Sequence, residues 1–150
     1  MEKVLSNWIV LEGPDGVGKT TRANFFESLG VKAMYLSAPS NIPEWERASS
    51  MANTYIDAGK DIEKDKNSLY VTDRSIVSSL VYATDEPYVA NMMLGNYLRK
   101  GGLFPYLLLI FLKQYEKEPR YELLRDKYLR IVDLLKKKRS LSSMSILVEK

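Results

Sequence analysis

A short stretch near the start of the chain, EGPDGVGKTT at residues 12–21, combines three glycines with a lysine and two threonines. Residues 13–20 fit the spacing G-x-x-x-x-G-K-[ST] in full, a loop whose backbone N–H groups surround phosphate oxygens. Glycine reaches the required backbone angles without steric penalty, and a side chain there would block the phosphate. Lys19 can bridge β- and γ-phosphates, and the Thr20 hydroxyl can bind Mg²⁺. The predicted nucleotide-binding residues are Gly13, Asp15, Gly16, Val17, Gly18, Lys19, Thr20 and Thr21.

A second group of chemically capable residues follows another apolar run, in the sequence SLYVTDRS at residues 68–75. An aspartate at the end of such a strand, Asp73, can hold a magnesium-bound water or orient an acceptor group. The neighbouring Arg74 can clamp a phosphate or neutralise transferring charge. An Asp-Arg pair after a strand is also a common surface ion pair, but next to a phosphate loop the functional interpretation is favoured.

Short apolar runs alternate with segments of helical period, which predicts an α/β fold of three layers with a five-stranded parallel sheet flanked by helices. We expect strands at about 7–12, 32–37, 68–73, 105–112 and 144–148, and helices at about 19–29, 43–58, 75–83, 87–101 and 119–138. The carboxyl ends of parallel strands lie at one edge of the sheet, where ligands of open α/β sheets bind. The phosphate loop and the Asp73-Arg74 pair should therefore meet there.

Composition restricts the chemistry further. The 150 residues include no cysteine and no histidine, which excludes thiolate metal sites and histidine-based proton relays and fits a cytoplasmic location. We expect one domain over residues 1–150. The net charge is +3, and the basic run at 136–139 is typical of a solvated helix end, so we expect neither a nucleic-acid nor a membrane partner. The longest apolar run, Leu103 to Leu112, is too short for a membrane helix.

The segments WIVLEGPDGVGKTT and VTDRSIVSSLVYA together resemble thymidylate kinase, a nucleoside monophosphate kinase with a P-loop NTPase fold. The resemblance implies transfer of the ATP γ-phosphoryl group to a deoxynucleoside monophosphate, most simply dTMP. It also implies that Asp15 faces the acceptor sugar, that Asp73 lies near the metal and that Arg74 contacts the phosphates being joined. Ser79 and Tyr82 would contact base and sugar, although core packing is a competing interpretation for Tyr82. Related kinases are often dimers, which implies a homodimer.

The chain departs from the family pattern at several places. Residues 37–40, Ser-Ala-Pro-Ser, replace the usual R-E-P or F-P-x-R, and Lys113 stands where the fourth strand commonly ends in aspartate. Residues 113–118 leave little room for an arginine-bearing lid. Arg120 is the remaining candidate for a catalytic lid arginine, and an ordinary arginine at a helix start is the alternative. Gly16 stands where some members carry a loop arginine.

Two other functions remain open from the residues. Deoxynucleoside kinases also pair a phosphate loop with an acidic-Arg-Ser sequence, but they typically need a carboxylate after the second strand, where this chain has Ala38 and Ser40. A binding module or regulatory NTPase would hold a nucleotide without an acceptor. The short lid favours such a module, whereas the Asp73-Arg74 pair favours a kinase.

Overall fold

The computed structural model describes residues 4–13, 19–36, 41–83, 87–112, 119–137 and 144–149. The strands are β1 (Val4–Glu12), β2 (Lys32–Met34), β3 (Tyr70–Thr72), β4 (Phe104–Leu112) and β5 (Met144–Glu149). The helices are α1 (Lys19–Ser28), α2 (Glu44–Lys64), α3 (Ile76–Ala83), α4 (Pro87–Arg99) and α5 (Pro119–Lys137).

The strands form one parallel sheet in the order β2-β3-β1-β4-β5. β1 lies at the centre, where Val10 pairs with Thr72 of β3 on one side and with Leu107 of β4 on the other. Because neighbouring strands run parallel, β1 and β3 end side by side at the same edge. The α/β class with a parallel sheet flanked by helices is confirmed.

Two strands are shorter than the sequence pattern predicts. β2 ends at Met34 and β3 spans only Tyr70–Thr72, whereas the apolar runs suggested strands at 32–37 and 68–73. Pairing between these two strands is confined to three positions, from Lys32 with Tyr70 to Met34 with Thr72. Beyond the last pair, the amide of Leu36 donates instead to the side chain of Asp73, at 2.9 Å. A hydrogen bond to the Asp73 side chain thus takes the place of the next backbone hydrogen bond between β2 and β3.

Helix α2 corrects another expectation. The predicted helix at 43–58 stops just before Gly59, a residue that disfavours helices, but the helix continues to Lys64. A Cβ at Gly59 would lie 3.2 Å from the Trp8 ring and 3.3 Å from Leu103 Cβ, so the glycine permits close packing of the helix against the sheet. Ile62, one turn further on, is fully buried. Core packing at Ile62 therefore outweighs the roughly 1 kcal/mol helix penalty of glycine.

The core lies between the sheet and the helices that cover it. From β1 it takes Trp8, Val10 and Leu11; from α3, Ile76, Val77, Leu80 and Val81; and from α5, Tyr128, Val132 and Leu135. Leu123 of α5 is 53% exposed, whereas its neighbour Leu124 packs against the core. Among the described residues, no helix combines the length and apolarity needed to cross a membrane.

Candidate functional site

The end of β1 leads into the predicted phosphate loop through Gly13. This residue is buried and has a φ of 150°, a backbone conformation in which a side chain would be strained. The glycine is therefore required by the backbone at the first position of the loop. Asp15, Gly16, Val17 and Gly18 lie outside the described residues, and their predicted contacts with a nucleotide stay predictions.

Helix α1 begins on the far side of the loop with Lys19. This lysine is only 9% exposed, and its Nζ donates to the Gly13 carbonyl at 2.7 Å. The ammonium group is thus held beside Gly13, directly after the end of β1. Thr20 and Thr21 are exposed in the first helical turn, which carries no acidic residue. The partial positive charge of a helix N-terminus adds to the attraction for anions.

Asp73 and Arg74 follow β3 directly, and both are half-buried. The turn that carries them is fixed by hydrogen bonds on either side. Asp73 Oδ1 accepts from the Leu36 amide at 2.9 Å. Thr72 Oγ1 accepts from Trp8 Nε1 at 3.0 Å and donates to the Arg74 carbonyl at 2.8 Å. Since Thr72 pairs with Val10 in the sheet, the turn lies beside the end of β1, where the phosphate loop starts.

Glu12, the last residue of β1, connects this turn to the loop. Its side chain is fully buried. Oε1 accepts from the Ser75 amide at 2.8 Å and from Ser75 Oγ at 2.9 Å, and Oε2 accepts from Ser78 Oγ at 2.7 Å. Ser75 immediately follows Arg74, so the carboxylate at the end of β1 holds the first residues of α3 and, through them, the position of the Asp-Arg turn.

The electrostatics of Glu12 reflect a balance between burial and nearby cations. Burial raises the pKa of the Glu12 carboxyl, while the hydrogen bonds from Ser78 and Ser75 and the positive charges of Lys19 and Arg74 act in the opposite direction. Lys19 and Arg74, the two predicted phosphate-binding cations, thus both favour the charged form of the carboxyl group at the end of β1.

Two further residues complete the arrangement around the end of β1. Tyr128 of α5 is fully buried, and its hydroxyl lies 3.2 Å from Glu12 Oε2 and 3.2 Å from the Gly13 carbonyl oxygen. Tyr55 of α2 is also buried; burial raises the pKa of its hydroxyl, and the Glu12 carboxylate raises it further. Helix α5 therefore contacts the end of β1 directly through Tyr128.

Sequence reasoning assigned no role to Glu12 or Tyr128. The signal for Glu12 was a carboxylate at the end of the apolar run Trp8–Leu11, since a charged residue that ends a fully buried strand needs partners. Tyr128 lay within an apolar helix face, where its ring fits the pattern and its hydroxyl gives no separate signal. No local pattern could pair two residues 116 positions apart.

The remaining predicted residues are described less fully. Ser79 is buried in α3, next to Ser78, whose hydroxyl donates a hydrogen bond to Glu12. For Tyr82 and Arg120 the structure describes the backbone, within α3 and at the second residue of α5, and their side chains lie outside the described part. The roles of Ser79, Tyr82 and Arg120 therefore stay predictions.

The chain has a parallel α/β sheet, with helix α1 after its central strand and the Asp73-Arg74 turn after the adjacent strand, and this fold is similar to that of solved thymidylate kinases. The chain is similar to thymidylate kinase from Ehrlichia chaffeensis, with a TM-score of 0.67 and 17% identity over 95% of this chain and 87% of that one. Thymidylate kinase from Candida albicans has a TM-score of 0.52 and 16% identity, over 95% and 83%.

NadR, whose crystal structure is a complex with NAD and AMP-PNP, is similar at a TM-score of 0.68 and 13% identity. The match covers 95% of this chain and 44% of NadR. No protein-family model matches the sequence, and no curated protein matches it. At these identities the similarity establishes the fold, and the chemistry has to be argued from the residues of the site.

Proposed function

We propose that this protein is a nucleotide kinase that transfers the γ-phosphoryl group of ATP to a deoxynucleoside monophosphate, with dTMP as the preferred acceptor. The observation that carries the proposal is the hydrogen bond from the Ser75 amide to Glu12 Oε1, at 2.8 Å. It joins the residue that precedes the phosphate loop to the residue that follows Asp73 and Arg74. A donor nucleotide in the loop and an acceptor beside the Asp-Arg turn would thus lie next to each other.

In this reaction a phosphate oxygen of the acceptor attacks the γ-phosphorus, and the bond to the β–γ bridging oxygen breaks to release ADP. Catalysis rests on positioning and charge stabilisation, without a covalent enzyme intermediate. Lys19 would hold the β- and γ-phosphates, and Arg74 would bind the phosphates being joined. Both cations would counter the negative charge that the two nucleotides bring together.

The donor set of the site fits Mg²⁺. Thr20 offers a hydroxyl in the first turn of α1, and Asp73 offers a carboxylate whose Oδ1 is oriented by the Leu36 amide. Hard oxygen ligands of this kind suit Mg²⁺, which usually binds few protein groups and relies on waters and phosphate oxygens for the rest. The described residues contain no group of three acidic side chains that could hold a metal alone. Bound there, Mg²⁺ would neutralise charge on the phosphates.

The preference for a monophosphate acceptor rests on the type of charge at the turn. Arg74 supplies a guanidinium, which recognises a phosphate bidentately. The buried Glu12 carboxylate is engaged by the start of α3. The preference for dTMP rests on the resemblance of the two motifs to thymidylate kinase.

The test is to incubate the protein with Mg-ATP and, separately, with each common deoxynucleoside and deoxynucleoside monophosphate, while ADP and the phosphorylated product are measured. We expect ADP formation only with a monophosphate acceptor, fastest with dTMP. Asp73→Asn should lower turnover about 100-fold, the usual effect of losing one transition-state group. Asp65→Asn is the matched control, because this half-buried carboxylate pairs with Lys32 and accepts from the Tyr70 hydroxyl at the other end of β3.

Other outcomes would replace the proposal. Phosphorylation of nucleosides alone would indicate a deoxynucleoside kinase. Release of ADP without an acceptor, or tight nucleotide binding without any turnover, would indicate a regulatory NTPase or a binding module.

A further inference from the structure

A single hydroxyl group connects helix α5 to both parts of the proposed site. Tyr128 OH lies 3.2 Å from the Gly13 carbonyl oxygen and 3.2 Å from Glu12 Oε2. The ring is fully buried, so solvent does not compete for these contacts and the hydroxyl is held between the two acceptors. A buried hydrogen bond restrains its partners more strongly than an exposed one, because breaking it leaves buried polar groups unsatisfied at the full cost of their desolvation.

The two acceptors belong to different halves of the site. Gly13 starts the phosphate loop, and the same carbonyl accepts from Lys19 Nζ at 2.7 Å. Glu12 holds the Ser75 amide at 2.8 Å, next to the Asp-Arg turn. Displacement of Tyr128 would therefore act on the donor side through Gly13 and on the acceptor side through Glu12.

We propose that Tyr128 is a positioning residue, whose hydroxyl fixes the start of the phosphate loop relative to the Asp73-Arg74 turn. The inference rests on the proposed function, since it assigns the hydroxyl to the alignment of two bound nucleotides. Tyr128 touches neither reactant in this account. It acts through Gly13 and Glu12, and it ties their positions to α5.

The experiment compares Tyr128→Phe with Tyr97→Phe. Both tyrosines are almost fully buried, and both hydroxyls contact a backbone carbonyl, that of Gly13 for Tyr128 and that of Leu103 for Tyr97. Phenylalanine keeps the ring and the charge of the site in each case. Tyr97 lies in α4, where its hydroxyl joins that helix to the start of β4. The two variants therefore remove a similar bond, one at the site and one away from it.

Three quantities are measured for each variant: the melting temperature, the dissociation constant of Mg-ADP by calorimetric titration, and kcat and KM for phosphoryl transfer to dTMP. Both variants should lower the melting temperature by a few degrees. Tyr128→Phe should also weaken Mg-ADP binding about three- to tenfold and lower kcat by a similar factor, as expected for one lost hydrogen bond. Tyr97→Phe should change neither the dissociation constant nor kcat by more than about twofold.

The outcomes separate the inference from the proposed function. If both variants lose stability but keep their nucleotide affinity, or if both lose affinity to the same extent, Tyr128 has no special positioning role. The inference is then wrong, whatever the unaltered protein catalyses. If the unaltered protein binds Mg-ADP but transfers no phosphoryl group, the proposed function fails, and the affinities of the two variants still decide whether Tyr128 positions the loop. Absence of Mg-ADP binding in the unaltered protein would overturn both.

Discussion

Glu12 offers the strongest test of how the site is built. Replacement by alanine removes the acceptor for the Ser75 amide and for the hydroxyls of Ser75, Ser78 and Tyr128. The hydroxyls can rotate towards other acceptors, whereas the backbone amide cannot, so one donor is left unsatisfied at a cost of about 1–3 kcal/mol. The variant also loses the packing of the Glu12 side chain and the negative charge that faces Lys19 and Arg74, which adds to this cost. Removal of the buried carboxylate charge offsets part of it. We expect Glu12→Ala to lower the free energy of unfolding by about 2–4 kcal/mol.

Replacement of Glu12 by glutamine separates shape from charge. The amide oxygen can still accept from Ser75, and the amide nitrogen can donate to the hydroxyl oxygens of Ser78 and Tyr128, so the loss of stability should be about 1–2 kcal/mol smaller than for alanine.

The pH dependence of stability has a definite sign. Burial raises the folded-state pKa of Glu12 above its ordinary value of 4.5, so the folded protein binds this proton more tightly than the unfolded chain does. The contribution of Glu12 to stability is therefore greatest below the unfolded pKa and falls as pH rises from there through the folded pKa. Glu12→Gln removes this dependence, so the difference in unfolding free energy between the unaltered protein and Glu12→Gln should shift in favour of the variant as pH rises.

The assay is urea unfolding at several pH values, monitored by circular dichroism. Glu63→Gln is the control, because it makes the same substitution at an exposed glutamate of α2. The control should follow the unaltered protein within about 0.5 kcal/mol at each pH. A Glu12→Ala variant as stable as the control would refute the claim that Glu12 holds the start of α3. Parallel pH curves for the unaltered protein and Glu12→Gln would refute the claim that burial dominates its pKa.

Two further predictions concern Lys19 and a close contact in the fold. Lys19→Ala should keep the melting temperature within a few degrees but raise the phosphoryl-transfer barrier by at least about 2 kcal/mol, which is roughly 30-fold in kcat; unchanged turnover would exclude Lys19 as a phosphate-binding residue. Gly102→Ala should cost about 1–3 kcal/mol of unfolding free energy, because a Cβ there would lie 2.3 Å from two ring carbons of the buried Tyr97. A urea midpoint equal to that of the unaltered protein would show that the ring can move aside.

Much of the site could be predicted because its signals are local or follow from topology. Gly13 and Lys19 belong to one short stretch whose spacing matches a loop that needs bare amides and one cation. Asp73 and Arg74 lie far away in sequence, yet they could be placed beside the loop, since parallel strands end at one edge of a sheet. The pairing of Val10 with Thr72 agrees with that expectation.

The sequence pattern was wrong where distant contacts outweigh local preference. Glycine is a poor helix residue, which suggested that α2 ends at Gly59. The helix continues because the absence of a side chain lets it pack closely against Trp8 and Leu103, and because Ile62 reaches the core. A preference worth about 1 kcal/mol is outweighed by the burial of one isoleucine, which is worth about 1.5–3 kcal/mol.

The sequence by itself determined the α/β class and the position of the Asp-Arg turn beside the end of β1, because apolar periodicity is a property of neighbouring residues and parallel strands end at one edge. Only the tertiary structure decided which polar groups share the buried space at the end of β1. Glu12 meets Ser75, Ser78 and Tyr128, from 63 to 116 positions away. A buried carboxylate must find donors, but which donors it finds depends on how helices α3 and α5 pack over the sheet, and no local pattern records that.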